Sequence, residues 1–278
     1  MALLAAVQRE LVLLLDHGHM ITFLPAVLAA AFGFLLLHLL AGAASRALLP
    51  GVYNALPHAK RIDWDVRIVS MLFATFITLF AFFALDHPDI AADPVFTYHP
   101  ITAAMSTIAT GYFLWDLGVC LYHFDVYGWP FFIHGFVCFL IYLFSLRPIL
   151  TRFAAVFLLF EASTIPLNIN WFLDFSPYAN GKFRILNGLV LVLTFFFVRI
   201  VYGLYQSYEY YIAVYYAWDR MPKTLVLFYS LGNVILNSLN LFWFRKLIAK
   251  AARTLKKSKA PPAVSNGAVG GATPKKQA

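Results

Sequence analysis

The stretch Trp115–Phe136, "WDLGVCLYHFDVYGWPFFIHGF", sets Asp116, His123 and His134 among apolar neighbours. Such groups can sit in water, in a packed core, or in a polar chamber within lipid, and the rest of the chain chooses among the three. Of 278 residues, 62% are hydrophobic and 12% charged, with 28 Phe and 15 Tyr. That balance lies outside soluble globular domains. The chain reads as an all-α polytopic membrane protein. Cys120 and Cys138 both fall inside apolar runs, so they read as packing residues, not a disulfide pair or reactive thiols.

A hydrocarbon core about 30 Å thick needs about 20 helical residues to cross it. Seven stretches meet that length: 20–44, 68–85, 101–122, 129–146, 149–173, 185–212 and 225–248. Pro100, Pro130, Pro148 and Pro222 stand where helices begin, a place where the missing N–H costs nothing. Pro25 and Pro166 fall inside spans and predict kinks. The first 17 residues are too short to cross and lack the basic start of a signal peptide, so residues 1–19 read as an interfacial segment.

The net charge of +8 is a property of the tail. Nine of the 21 Lys and Arg lie from Arg245 onward, where there is no Asp or Glu, leaving 12 basic against 13 acidic groups elsewhere. A basic segment after an apolar helix fits a cytosolic face opposite anionic lipid and argues against a nucleic-acid partner. With the C-terminus in the cytosol, 15 Lys and Arg fall on that side and five (Arg9, Arg147, Arg152, Arg220, Lys223) on the other, as the positive-inside bias requires. Residues 251–278 read as a basic, disordered tail. Lys275 and Lys276 in its final "KKQA" resemble a dilysine signal read by the retrieval machinery of the endoplasmic reticulum.

Helical spacing sorts the intramembrane polar residues into stripes. They are Tyr112, Asp116 and His123; His134, Cys138 and Ser145; Glu161, Thr164 and Asn168; Arg199, Tyr202, Gln206 and Glu209; and Ser230, Asn233, Asn237 and Asn240. Unsatisfied polar groups are costly in hydrocarbon, so the stripes are expected to face a shared interior. At about 1.5 Å per residue, Asp116 and His134 lie about 8 to 10 Å in from the same mouth. Glu161 and Arg199 reach similar depth and are expected to form a buried ion pair. Asparagines spaced like those of the last helix are more often interhelical hydrogen-bond glue than a substrate site. No metal site is expected: His17 and His19 lack further ligands, and His58, His87 and His99 stand singly in loops.

"IATGYFLWDLGVCLYHF", "FFIHGFVCF", "LFEASTIPLNINWFL", "NGLVLVLTFFFVRI" and "WFRKLI" together resemble the TLC-domain family, which includes ceramide synthases and smaller lipid-homeostasis proteins. The likeness runs over residues 61–250, after a first helix and loop at 20–60. It is closest to the small, single-domain members. The resemblance implies helices 2 to 7 forming a six-helix barrel around a polar-lined chamber, an endoplasmic reticulum address, and a hydrophobic ligand.

Ceramide synthases carry a histidine pair at the start of helix 4; the matching positions here are His134 and Gly135, so only the first is present. Two readings arise. In the first, the protein handles membrane lipid, holding an acyl chain or sphingoid base against Tyr112, Glu161, Asn168, Arg199, Asn233 and Asn237, with no cofactor. In the second, it is a sphingoid-base N-acyltransferase with acyl-CoA as co-substrate, His134 as nucleophile or base, and Asp116 orienting it. A transporter is disfavoured because the spans show no internal repeat. Oligomeric state stays open, a homo-oligomer included.

Overall fold

The computed structural model describes residues 17–179 and 181–259. Most of the expected interfacial segment and residues 260–278 of the expected tail, with Lys275 and Lys276, lie outside them, whereas residues 251–259 of that tail continue the last helix. Among the described residues there is no strand, and seven helices are long and apolar enough to cross a membrane. They are α1 (His17–Leu48), α2 (His58–Leu85), α3 (Pro100–Tyr122), α4 (Phe124–Phe144), α5 (Thr151–Leu173), α6 (Lys182–Arg220) and α7 (Lys223–Lys259). The protein is a multi-pass membrane protein. The ends of α1, α3, α5 and α7 share one face of the bundle, the tail side.

The surface is inverted relative to a soluble protein. On α2, Val69, Phe73, Ile77, Ala81 and Ala84 are at most 2% exposed, while Leu72, Phe76, Leu79 and Phe83 on the other face are more than half exposed. Hydrocarbon accepts that outer face at no cost. Inside, the Tyr112 ring of α3 stacks on Phe73 at 3.6 Å, and Phe34 of α1 meets both rings edge-on. Contacts run from α2 to α3, α4, α7, α6, α5 and back to α2, with α1 packed outside on α2 and α3. Only 6% of the apolar window of α1 is buried against 72% for α5, so α1 is peripheral and α5 enclosed.

Several helices start where proline was expected to start them. Pro100 fills the first helical position of α3, and the His99 Nδ1 accepts the Ile101 N–H at 3.2 Å. A single turn, Phe124–Tyr127, precedes the main run of α4; the two meet at Gly128, whose φ of 66° and ψ of −174° are open only to glycine. Helical geometry is continuous through Pro25 in α1, but in α5 the turn before Pro166 tightens to 3₁₀ over Leu159–Ser163. Pro166 has no N–H for the Ala162 carbonyl and crowds it, which explains that change.

Helix ends run further than apolar windows indicate. The span expected from residue 68 begins ten residues earlier, at His58, because Asp63 and Arg67 continue the helix. At the tail side, Trp64 packs edge-on against Tyr53, Trp171, Phe172 and Phe175 and donates through Nε1 to Ser45 Oγ at 3.0 Å. The Tyr53 hydroxyl donates to Asp65 Oδ2 at 2.7 Å. Burial, reinforced by that bond, pushes the Tyr53 phenol up to about 12.

Candidate functional site

Two adjoining cavities occupy the interior. The one nearer the tail side has a volume of about 360 Å³ and is lined by Arg67, Tyr112, Asp116, Tyr127, Asn168 and Trp243, with Asp63, Lys246 and Lys250 at its rim. The deeper one, about 80 Å³, is lined by Cys138, Tyr142, Phe153, Phe157, Tyr229, Asn233 and Asn237. Phe113, His134, Glu161 and Arg199 line both and form the waist between them. Each of the eight candidate residues therefore borders this interior. The tail-side cavity reaches the size of small-molecule sites, and both are walled mainly by apolar surface.

The waist is built by two irregular helix segments. Glu161 lies in the 3₁₀ turn of α5, and Arg199 in a π-helical stretch of α6, Phe196–Tyr202. Immediately after that stretch, Gly203 receives the Phe160 ring: a Cβ there would meet Phe160 Cζ at 2.7 Å. Glycine thus lets α5 and α6 close until the charges meet. Arg199 Nη2 lies 3.5 Å from Glu161 Oε1, so the expected buried pair is present, though it is longer than a tight charge-assisted bond.

Three of the four remaining guanidinium hydrogens meet side-chain acceptors. Arg199 Nε donates to Ser163 Oγ at 2.8 Å, Nη1 to Asn240 Oδ1 at 3.2 Å, and Nη2 also to Thr164 Oγ1 at 3.2 Å. Thr164 in turn donates to Glu161 Oε2 at 2.8 Å. Such sharing is what allows a buried cation to persist.

His134 and Asp116 border the same tail-side cavity, but no hydrogen bond joins them among the described residues. The imidazole lies 3.7 Å from Cys138 Sγ, with its ring edge-on to Trp243. A Cβ at Gly135 would come 3.1 Å from Asp116 Oδ2. The Asp116 carboxylate therefore occupies the space that a second histidine at 135 would enter.

Three of the ligand-lining candidates also hold helices together. Asn168, 1% exposed, donates to Ser70 Oγ at 3.1 Å and accepts from Arg67 Nη1 at 2.9 Å, tying α5 to α2. Asn233 and Asn237 both donate to Ser207 Oγ, at 3.0 and 2.9 Å, tying α7 to α6.

The α6 stripe does not stay on one face. Arg199 lines the chamber, but Gln206 and Glu209 line a separate cavity of about 580 Å³ on the side opposite the tail, with Asp93, Arg152 and Arg220. The π stretch holds more residues per turn than an α-helix and rotates the rest of α6 about its axis. Ser207 takes the inward place. Arg67 and Lys246 also line the chamber and are not among the expected lining residues, although Asp63, Arg67 and Ser70, at spacings of four and three, share one face of α2. His87, Asp89 and His99 do not stand singly: their ligand atoms lie within 4.8 Å of one another.

A membrane-embedded helical bundle with a polar waist inside an apolar chamber defines the class. The TLC-domain signature matches residues 63–249, and the chain belongs to that family. It is 32% identical over 222 residues to a TLC domain-containing protein of Schizosaccharomyces pombe, covering 80% of this chain and 76% of that one. With "Topoisomerase I damage affected protein 4" of Saccharomyces cerevisiae it shares 34% over 203 residues, 70% of this chain and 72% of the relative. With human "TLC domain-containing protein 4" it shares 26% over 232 residues, covering 80% and 88%.

Proposed function

We propose that the protein is a lipid-handling membrane protein of the endoplasmic reticulum that binds an acyl-chain or sphingoid lipid within the bundle and so acts in membrane lipid homeostasis. The observation that carries this reading is the two-part chamber, with a rim bearing Asp63, Lys246 and Lys250 and a deeper aromatic half beyond the waist. A lipid with its head at the rim and its chain directed inward matches that order of surfaces. Helices 2 to 7 then act as a barrel wall. The C-terminus faces the cytosol, where Lys275 and Lys276 engage the retrieval machinery.

The placement of His134 at the waist favours a second reading, acyl transfer from acyl-CoA to a sphingoid base. His134 would take the amine proton as the amide forms and the thiol leaves. Incubation of purified protein with labelled acyl-CoA and a sphingoid base separates the two. The binding reading expects photoactivatable acyl lipid to crosslink to waist residues without turnover. Product that disappears in His134→Ala replaces it with the enzyme. Neither crosslinking nor product removes both.

A further inference from the structure

On the side opposite the tail, the chain leaves α2 at Leu85, makes one helical turn over Pro88–Ala92, and enters α3 at Pro100. This connection is anchored. Ile90 is fully buried, Asp93 Oδ1 accepts the Val95 and Phe96 N–H groups at 2.9 and 3.0 Å, and Thr151 Oγ1 donates to the Thr97 carbonyl at 2.7 Å. It brings together three side chains from its two ends. The His87 and His99 rings have centroids 4.0 Å apart, and His87 Nδ1 lies 3.7 Å from Asp89 Oδ2. That distance is too long for a hydrogen bond, and His87 Nδ1 is buried without one.

We propose that His87, Asp89 and His99 form a binding site for one late first-row divalent cation, Zn²⁺ before others. Two imidazoles and one carboxylate suit Zn²⁺ and its neighbours in the series, whereas Ca²⁺ and Mg²⁺ ask for oxygen ligands throughout. A tetrahedral ion with bonds of about 2.0 to 2.1 Å places its ligands about 3.4 Å apart. The three donor atoms already lie within 4.8 Å of one another, and Asp89 is exposed and free to rotate inward. Water would complete the fourth position. The bound ion would fasten the end of α2 to the start of α3, independently of what the chamber holds.

Coordination has one further consequence. The His99 Nδ1 now accepts the Ile101 N–H. Ligation through His99 Nε2 moves the ring proton to Nδ1 and turns it from acceptor to donor, which frees the Ile101 N–H. Metal should therefore slow amide exchange in the segment containing His87 and Asp89 while quickening it at the first turn of α3, a pattern that general stabilisation would not produce.

The test uses the full-length protein in detergent, stripped with chelator and titrated with Zn²⁺ against a chromophoric competitor. The expected result is one ion per chain with micromolar affinity, weakened more than about tenfold in His87→Gln and in His99→Gln. His58→Gln and the pair His17→Gln with His19→Gln should leave it unchanged. Absence of stoichiometric binding, or binding that survives loss of His87 and His99, overturns the proposal. A measurement on the unaltered chain covers poorly folding variants: Zn²⁺ should protect His87 and His99 from diethylpyrocarbonate, and equal modification with and without metal overturns it as well.

Discussion

Replacing Glu161 by Gln leaves the Arg199 guanidinium buried with its countercharge gone, and removal of one member of a buried pair costs about 3 to 5 kcal/mol. Arg199→Met leaves the Glu161 carboxylate with the Thr164 hydroxyl as its remaining donor and should cost a similar amount. The double variant has no stranded charge. It forfeits the bonds to Ser163, Thr164 and Asn240, worth about 1 kcal/mol each, so it should be destabilised by about 3 kcal/mol. Additive behaviour would give about 6 to 10 kcal/mol, so the coupling is about 3 kcal/mol or more. Thermal unfolding in bicelles, followed by the fluorescence of the six tryptophans, should show each single variant melting about 6 to 20 °C lower. The double should melt no lower than either single. If the two losses simply add, the charges at 3.5 Å do not interact and the waist is misassigned.

Other expectations concern how the site is assembled and how the tail-side aromatic cluster titrates. Gly203→Val should destabilise by about 1 to 3 kcal/mol through collision with Phe160, and Phe160→Leu in the same chain should recover most of it; failure of recovery would show that the close approach is not what requires glycine. Tyr53 holds its proton more tightly folded than unfolded, so its contribution is complete below pH 10 and fades as pH rises toward about 12. Denaturant midpoints for the native chain and Tyr53→Phe should converge across that window, and parallel curves would contradict the assignment. Protease protection in sealed vesicles should leave a C-terminal epitope cleavable from the cytosolic face, and a protected epitope would reverse the proposed orientation.

How much of the molecule is legible in its sequence depends on how far each signal reaches along the chain. Spans, proline-marked helix starts and the Glu161–Arg199 pairing depend on apolar length, on φ restriction and on the cost of a lone buried charge, all readable within a helix or two. The turn of α6 that sends Gln206 and Glu209 into another cavity could not be read that way. Residues Phe196–Tyr202 look helical in composition, and their π geometry occurs where Phe160 of another helix rests on Gly203. Arg67 was hidden because an apolar window discards a charge at its edge, although the helix does not end there. His87, Asp89 and His99 come together only because Ile90 and Asp93 fold the connection back on itself. Asp116 and His134 line one cavity, as their depths along the helices suggest, but that the carboxylate fills the space beside Gly135 depends on how α3 and α4 pack.

If the chamber around the waist holds lipid, mass spectrometry of what remains bound to the protein in mild detergent will detect it. A lipid carrying at least one long chain is expected, present near one per protein, and sharply reduced in Leu191→Trp, which adds bulk to the wall of the tail-side cavity. Native protein that retains no lipid, or a Leu191→Trp variant that folds and retains as much, would contradict it.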